Sequence, residues 1–335
     1  MKETQIKKPQ DTEALAGEVS RGFGESDKLS ARLDRYSTAK RRALENLEQL
    51  KVLSSERDAH PLDITADRYQ KAAALLLSCG NYLKFNNYYT VGKVRLTHAS
   101  FCKQHLICPL CAIRRGAKTL DAYLKRYAVV RAENPSWRLS MITLTVKNGN
   151  DLAERFKHLS NAVKRIFKHR RDWLDKGRGL TEWRKVHGWV GTYEVTNKGQ
   201  GWHPHAHLMV LHTESFDYKM MQAEWKDITQ DSHVLNVSAA HHPDQPELDF
   251  LEVFKYAVKF SDLSTGDNIH AWEVLRGRRL LFSGGAFRGV EIPEDLHDEQ
   301  LDDLPYIELL YRYTESGYSL QFMHNSSIIE PLEPA

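Results

Sequence analysis

Apolar positions along the chain keep two rhythms, helical spacing and strict alternation, and together they divide the 335 residues into helices and strands. Up to about Pro61 the chain is polar and charged, with apolar residues at helical spacing only from Leu33 to Leu53, which predicts a flexible start and then an accessory helix. His60-Pro-Leu-Asp-Ile-Thr65 reads as a loop and Asp67 to Ser78 as a second helix. Ala112 to Tyr127 predicts a basic helix, broken off by Asn134-Pro135. Trp137 to Lys147, rich in β-branched residues, predicts a strand that turns at Asn148-Gly149-Asn150. Asp151 is placed to cap a long basic helix reaching about Trp173, whose apolar stripe lies between Leu152 and Phe167. Gly188 to Thr196 and Gly201 to His212 are two further strands, joined by a hairpin-like loop from Asn197 to Gly201. A helix near Tyr218 to Ile228, a strand around Val234 to Val237 and a strongly helical run from Glu247 to Phe260 follow. Arg276 to Gly285 is a basic turn into a last strand, and the remainder is acidic, with a candidate hairpin from Tyr311 to Met323. Neighbouring strands joined by short loops predict an α+β fold, an antiparallel sheet backed by helices on one face.

Composition adds bounds to this picture. Hydrophobic residues at 41% and charged residues at 27% are those of a folded globular chain, the first residues lack the apolar core of a signal peptide, and no run reaches membrane-spanning length. A cytoplasmic location, with no membrane partner, is therefore expected. The net charge of +3 is mild but unevenly distributed, because acidic residues gather between Glu291 and Asp303. Basic residues gather elsewhere, making Arg114, Arg115, Lys164, Arg165, Arg278 and Arg279 candidate phosphate contacts, with Lys255 beside them in the late helix. Four segments result: a charged extension with its accessory helix (1–66), a cysteine module with a basic helix (67–135), a central α+β domain (136–290) and an acidic tail (291–335).

All four cysteines fall in the second segment, at Cys79, Cys102, Cys108 and Cys111. In a reducing compartment this grouping favours a structural Zn²⁺ site over disulfides, with His105 an alternative for one ligand.

The chemistry gathers around His203-Pro-His-Ala-His207. In a strand, His203, His205 and His207 project from one face, a row suited to a divalent cation. Two neutral imidazoles hold Mg²⁺ or Mn²⁺ only moderately, so a carboxylate is expected, with Glu194 on the adjacent strand the best placed and His203 competing for the position. Glu252, Tyr256 and Lys259 stand at i, i+4 and i+7 of the late helix, which places acid, phenol and ammonium on one face. A phenol with a bound cation and a nearby ammonium suits attack of phenolate on a phosphodiester, with Glu252 suited to base work or, less directly, to metal binding.

Met141-Ile-Thr-Leu-Thr145, His203-Pro-His-Ala-His207 and Lys255-Tyr-Ala-Val-Lys259, in that order, resemble the three motifs of the HUH (His-hydrophobe-His) endonucleases that initiate rolling-circle replication. Cys79-Gly80 and the stretch from Cys102 to Arg115 are similar to elements that precede the first motif in single-tyrosine plasmid initiators, and the resemblance spans roughly residues 70 to 290. It implies a plate like the RNA-recognition or ferredoxin-like fold, with the zinc-binding module placed before it. It also implies a Tyr256 that forms a 5′-phosphotyrosyl link when it nicks single-stranded origin DNA, the released 3′-hydroxyl priming synthesis. Initiators with two tyrosines place the second phenol one turn from the first. Here Glu252 occupies such a turn, so a water activated by Glu252 is expected to end the round. No Gly-x-x-x-x-Gly-Lys-Ser/Thr loop occurs, so a host helicase is expected to unwind and a host polymerase to extend. Origin DNA, as a single-stranded or cruciform nick site with flanking duplex, is the expected partner, and a homodimer is compatible with the sequence. Competing readings are a mobilisation relaxase or transposase of the same chemistry, a metal hydrolase with no covalent intermediate, and a zinc-containing DNA-binding repressor without nuclease activity.

Overall fold

A computed structural model describes residues 26–57, 64–239, 246–256, 263–291, 301 and 304–325. The polar start, Lys259 with the end of its predicted helix, and most of the acidic 291–303 segment lie outside the described residues. Among the described residues no helix is long and apolar enough to cross a membrane. The chain divides into two compact units, residues 1–117 with 297–335, and residues 118–296.

In the first unit, α1 (Ser26–Arg57) and α2 (Ile64–Ser78) bury the residues that recur on one stripe of each: Tyr36, Ala43, Leu47 and Leu50 on α1, and Tyr69, Ala73 and Leu76 on α2. Strands β1 (Tyr82–Tyr88) and β2 (Lys93–Ala99) form a hairpin. The chain then enters α3 (Pro109–Glu133), within which the division between the units falls. The C-terminal residues return as β8 (Ile307–Thr314) and β9 (Gly317–Asn325), and β8 pairs antiparallel with β1, giving a four-stranded sheet in the order β2-β1-β8-β9. The expected Tyr311 to Met323 hairpin is thus part of a second sheet, one that the sequence pattern does not announce. The first unit draws on two separate stretches of the chain because β1 pairs on one edge with β2 and on the other with β8.

The second unit is built on a five-stranded antiparallel sheet in the order β6-β3-β5-β4-β7, with β3 (Arg138–Thr145), β4 (Val186–Asn197), β5 (Trp202–His212), β6 (Leu235–Ala239) and β7 (Leu281–Gly285). Helix α4 (Leu152–Lys176) begins as expected: the Asp151 side chain accepts from Glu154 N, and Gly177, at φ 61, ends the helix by donating to Trp173 O. Leu152, Phe156, Leu159, Val163 and Ile166 are buried on its inner stripe, and Phe156 meets Tyr193 of β4 edge-to-face. A short 3₁₀ turn (Glu182–Lys185) leads into β4, and α5 (Tyr218–Thr229) packs beside α4. Helix α6 (Pro246–Tyr256) packs on β4 and β5 from the other side, where Thr192 Oγ1 donates to Val253 O at 2.8 Å and Phe254 stacks on Tyr123. The sheet is therefore covered on both faces, not on one. A further helix, α7 (Thr265–Leu275), precedes β7; it is capped by Ser264, whose hydroxyl accepts from Asp267 N.

Candidate metal centre

The β4–β5 hairpin sets the chemistry. Its register places Glu194 opposite His205 and Thr192 opposite His207, and β3 places Thr143 opposite His207 from the other side. Residues directly opposite in an antiparallel pair share a face, so one carboxylate and two imidazoles converge. Glu194 Oε2 lies 2.6 Å from His205 Nε2 and 3.1 Å from His207 Nε2, and one ligand atom from each of the three residues lies within 4.8 Å of the others. Glu194 is only 3% exposed and His207 6%. Burial works against the Glu194 charge, but hydrogen bonds from His205 and His207 outweigh it and hold the carboxyl down to about 2. Both imidazoles turn Nε2 to the same carboxylate oxygen, and the buried His205 Nδ1 meets no hydrogen-bond partner among the described residues. A nitrogen–nitrogen–oxygen set with one anionic member fits a divalent cation that keeps open positions for water or phosphate.

His203 stays outside this group. Its ring lies 5.4 Å from that of His205, and burial followed by the charge of His205 lowers its pKa. Thr143, which sequence reasoning passed over inside its strand motif, sits with Oγ1 3.1 Å from His207 Nδ1. Accepting there, it leaves the Nε2 lone pair directed at a cation. The alternation of Thr143 and Thr145 on the face shared with the histidines was the available signal. Thr192 was also missed, and its bond to Val253 ties α6 to this same face. Tyr256 ends α6 three residues later, with Glu252 and Lys255 on the same helix.

The second cluster lies in the other unit. Cys79 Sγ is 3.6 Å from the sulfurs of Cys108 and Cys111, and Cys102 Sγ is 3.5 Å from that of Cys111. All four are free thiols, and their mutual spacing is close to the edge of about 3.8 Å of a tetrahedron with zinc–sulfur bonds of about 2.3 Å. The sulfur of Cys102, those of Cys111 and Cys79, and burial push the Cys108 thiol up, while hydrogen bonds from Cys102, Cys108 and Cys79 pull Cys111 down. Four thiolates so close can ionise together only around a cation. His105, the alternative ligand, is instead engaged by Arg115, whose Nη1 is 3.2 Å from its Nδ1. Lys40, hidden in the α1 stripe, carries its Nζ to Leu76 O, Leu77 O and Cys79 O, tying down the end of α2 where the first cysteine sits.

The basic candidates separate. Lys164, Arg278 and Arg279 line one groove in the second unit, Arg165 donates to Ile228 O, and Arg114 stacks on Phe101 in the first unit.

A family model described as "Replication protein" matches residues 93–317. The chain is similar to a "Protein rep" of Bacillus sp, 26% identical over 302 residues covering 78% of this chain and 91% of that one. It is similar also to a "Protein rep" of Bacillus amyloliquefaciens, 26% identical over 315 residues (82% and 88%), and to one of Streptococcus pneumoniae serotype 2, 28% identical over 252 residues (68% and 74%). No solved structure matches.

Proposed function

Because the chain belongs to the replication protein family, we propose that it is a plasmid initiator that nicks and rejoins origin DNA by tyrosine transesterification, starting rolling-circle replication. One observation carries this reading. Thr192 Oγ1 to Val253 O ties α6 to the sheet face that bears Glu194, His205 and His207, and Tyr256 stands one helical turn further on.

In this reading His205, His207 and Glu194 would hold Mg²⁺ or Mn²⁺, which when bound would supply Lewis-acid polarisation of the scissile phosphate. Tyr256 loses its phenolic proton, and its oxygen attacks phosphorus. The bond from phosphorus to the 3′-oxygen breaks, that oxygen takes a proton, and the phosphodiester is conserved as a 5′-phosphotyrosyl link. Lys259 favours the phenolate, and Glu252 activates the water that ends the round by hydrolysis. The four cysteines hold a structural Zn²⁺. Single-stranded or cruciform origin DNA with its flanking duplex is the substrate, and a host helicase and polymerase complete the reaction.

The experiment is a supercoiled-plasmid nicking assay with Mg²⁺ or Mn²⁺, together with mass spectrometry of tryptic peptides after reaction with an oligonucleotide. Nicking that is lost in Tyr256→Phe, with an oligonucleotide attached to the Tyr256 peptide in the wild type, is the expected result. A Tyr256→Phe protein that still nicks would mean hydrolysis without a covalent intermediate, and a wild type that nicks nothing would mean a DNA-binding protein alone.

A further inference from the structure

On the sheet face opposite Glu194, His205 and His207, a cavity of about 610 Å³ opens beside α4. Its rim is cationic. Lys164, Lys168 and Arg171 stand at i, i+4 and i+7 on α4, all exposed, and Arg278, Arg279 and Arg288 join them from the turns on either side of β7. No carboxylate lines the cavity among the described residues. The three arginines are already oriented: Arg278 Nε donates to Val274 O at 2.8 Å, Arg279 Nε to Leu281 O at 3.0 Å and Arg288 Nε to Ser283 O at 2.9 Å. Each planar fork is therefore directed before any ligand arrives.

The floor is aromatic. A Cβ added at Gly191 would lie 2.6 Å from the Phe282 ring, and one added at Gly284 would lie 2.1 Å from the Trp189 ring. Those two glycines let the rings lie across neighbouring strands where a side chain would otherwise stand. Trp189 is already stacked on Phe167 at 4.0 Å, whereas Phe282 meets Tyr193 at a tilt and Phe167 edge-on, and remains partly exposed.

From this geometry we infer that the groove binds single-stranded DNA, its cations tracking consecutive phosphates while a base stacks on Phe282. Six cations exceed what the phosphates of one free nucleotide require. A duplex keeps its bases inside the stack, where an aromatic floor cannot reach them. The inference rests on the proposed nicking function for its substrate class, and it adds a second hold on the strand, across the sheet from the metal residues.

The test is fluorescence anisotropy of the full chain with labelled oligothymidylate and, separately, with a duplex, without added Mg²⁺ or Mn²⁺. Phe282→Leu should weaken oligothymidylate binding on the order of tenfold and leave duplex binding in place. Arg278→Ala combined with Arg279→Ala should reduce the slope of log affinity against log salt by about 1.4, at about 0.7 per lost phosphate contact. Lys168→Glu with Arg171→Glu changes only exposed side chains and should weaken oligothymidylate binding without altering the fold. Unchanged oligothymidylate binding in that exposed pair, or a Phe282→Leu protein that loses no more single-strand than duplex affinity, overturns the inference. If Tyr256→Phe still nicks, the proposed mechanism fails and the groove stands; if it is inactive while the groove variants bind normally, the groove alone fails.

Discussion

Thr143→Val isolates one atom of the candidate metal site. Valine keeps the shape of threonine and removes only the oxygen that lies 3.1 Å from His207 Nδ1. His207 is 6% exposed, so water cannot readily take the place of that oxygen. A hydrogen bond of this kind contributes about 0.5–1.5 kcal/mol, or roughly 2- to 13-fold in metal affinity if all of it goes into holding the ring. Loss of ring orientation raises the ceiling to about 100-fold, as for other outer partners of metal-binding histidines. Electron paramagnetic resonance of free Mn²⁺, titrated with the full chain, reads the affinity directly. Nicking at saturating Mn²⁺ should then recover most of its rate, because the ligands themselves are untouched. Thr143→Ser, which keeps the hydroxyl, should bind Mn²⁺ close to wild type. Equal Mn²⁺ affinity in Thr143→Val and wild type, or a serine variant as weak as the valine one, would refute an orienting role.

Cys111→Ser should remove one bound zinc per chain, measured by elemental mass spectrometry, and lower the melting temperature, whereas His105→Ala should retain the metal; zinc lost in the histidine variant would reassign the ligand set. Glu252→Ala should nick as the wild type does but accumulate the covalent protein–oligonucleotide adduct on gels, and equal loss of both activities would count against separate roles for Glu252 and Tyr256. His212 is 4% exposed, donates from Nδ1 to Glu214 O at 2.9 Å, and so accepts from Ser140 Oγ at Nε2, 2.8 Å away. Burial lowers its pKa, so below about 6.5 the unfolded chain takes the proton first and stability falls as pH drops toward the folded value. Urea denaturation between those pH values should show that slope, flattened in His212→Gln; the same slope in both proteins would place the effect elsewhere.

Local pattern carried the parts of this fold that close over short distances. The Asp151 cap and the Leu152 to Ile166 stripe of α4 lie within the reach of one helix, and the Asn197 to Gly201 loop sets a hairpin register in which Glu194 meets His205. From that register the carboxylate nearest the histidines was legible before any coordinates. The role of Thr143 was not, because it depends on how β3 aligns with β5, more than fifty residues away, and no side-chain pattern fixes that alignment locally. The β1–β2 hairpin was missed for a related reason: Asn86 and Asn87 interrupt the apolar alternation, and β1 is completed by β8 from the far end of the chain. Helix α7 escaped notice although Ser264 and Asp267 announce its start, since its buried set of Ile269, Ala271, Trp272 and Leu275 spans only two turns. Lys40 was hidden by its own chemistry, a charged residue set where an apolar one is expected.

The pairing of β1 with β8 has a consequence for synthesis on the ribosome. Half of the four-stranded sheet, β8 and β9, follows the whole five-stranded sheet in the sequence, so β1 waits with one edge open while more than two hundred further residues are made. A late stop codon would spare every residue of the histidine centre yet strand that edge permanently, leaving nascent chains prone to stick to one another. Loss of β8 and β9 should therefore be seen first as insoluble protein.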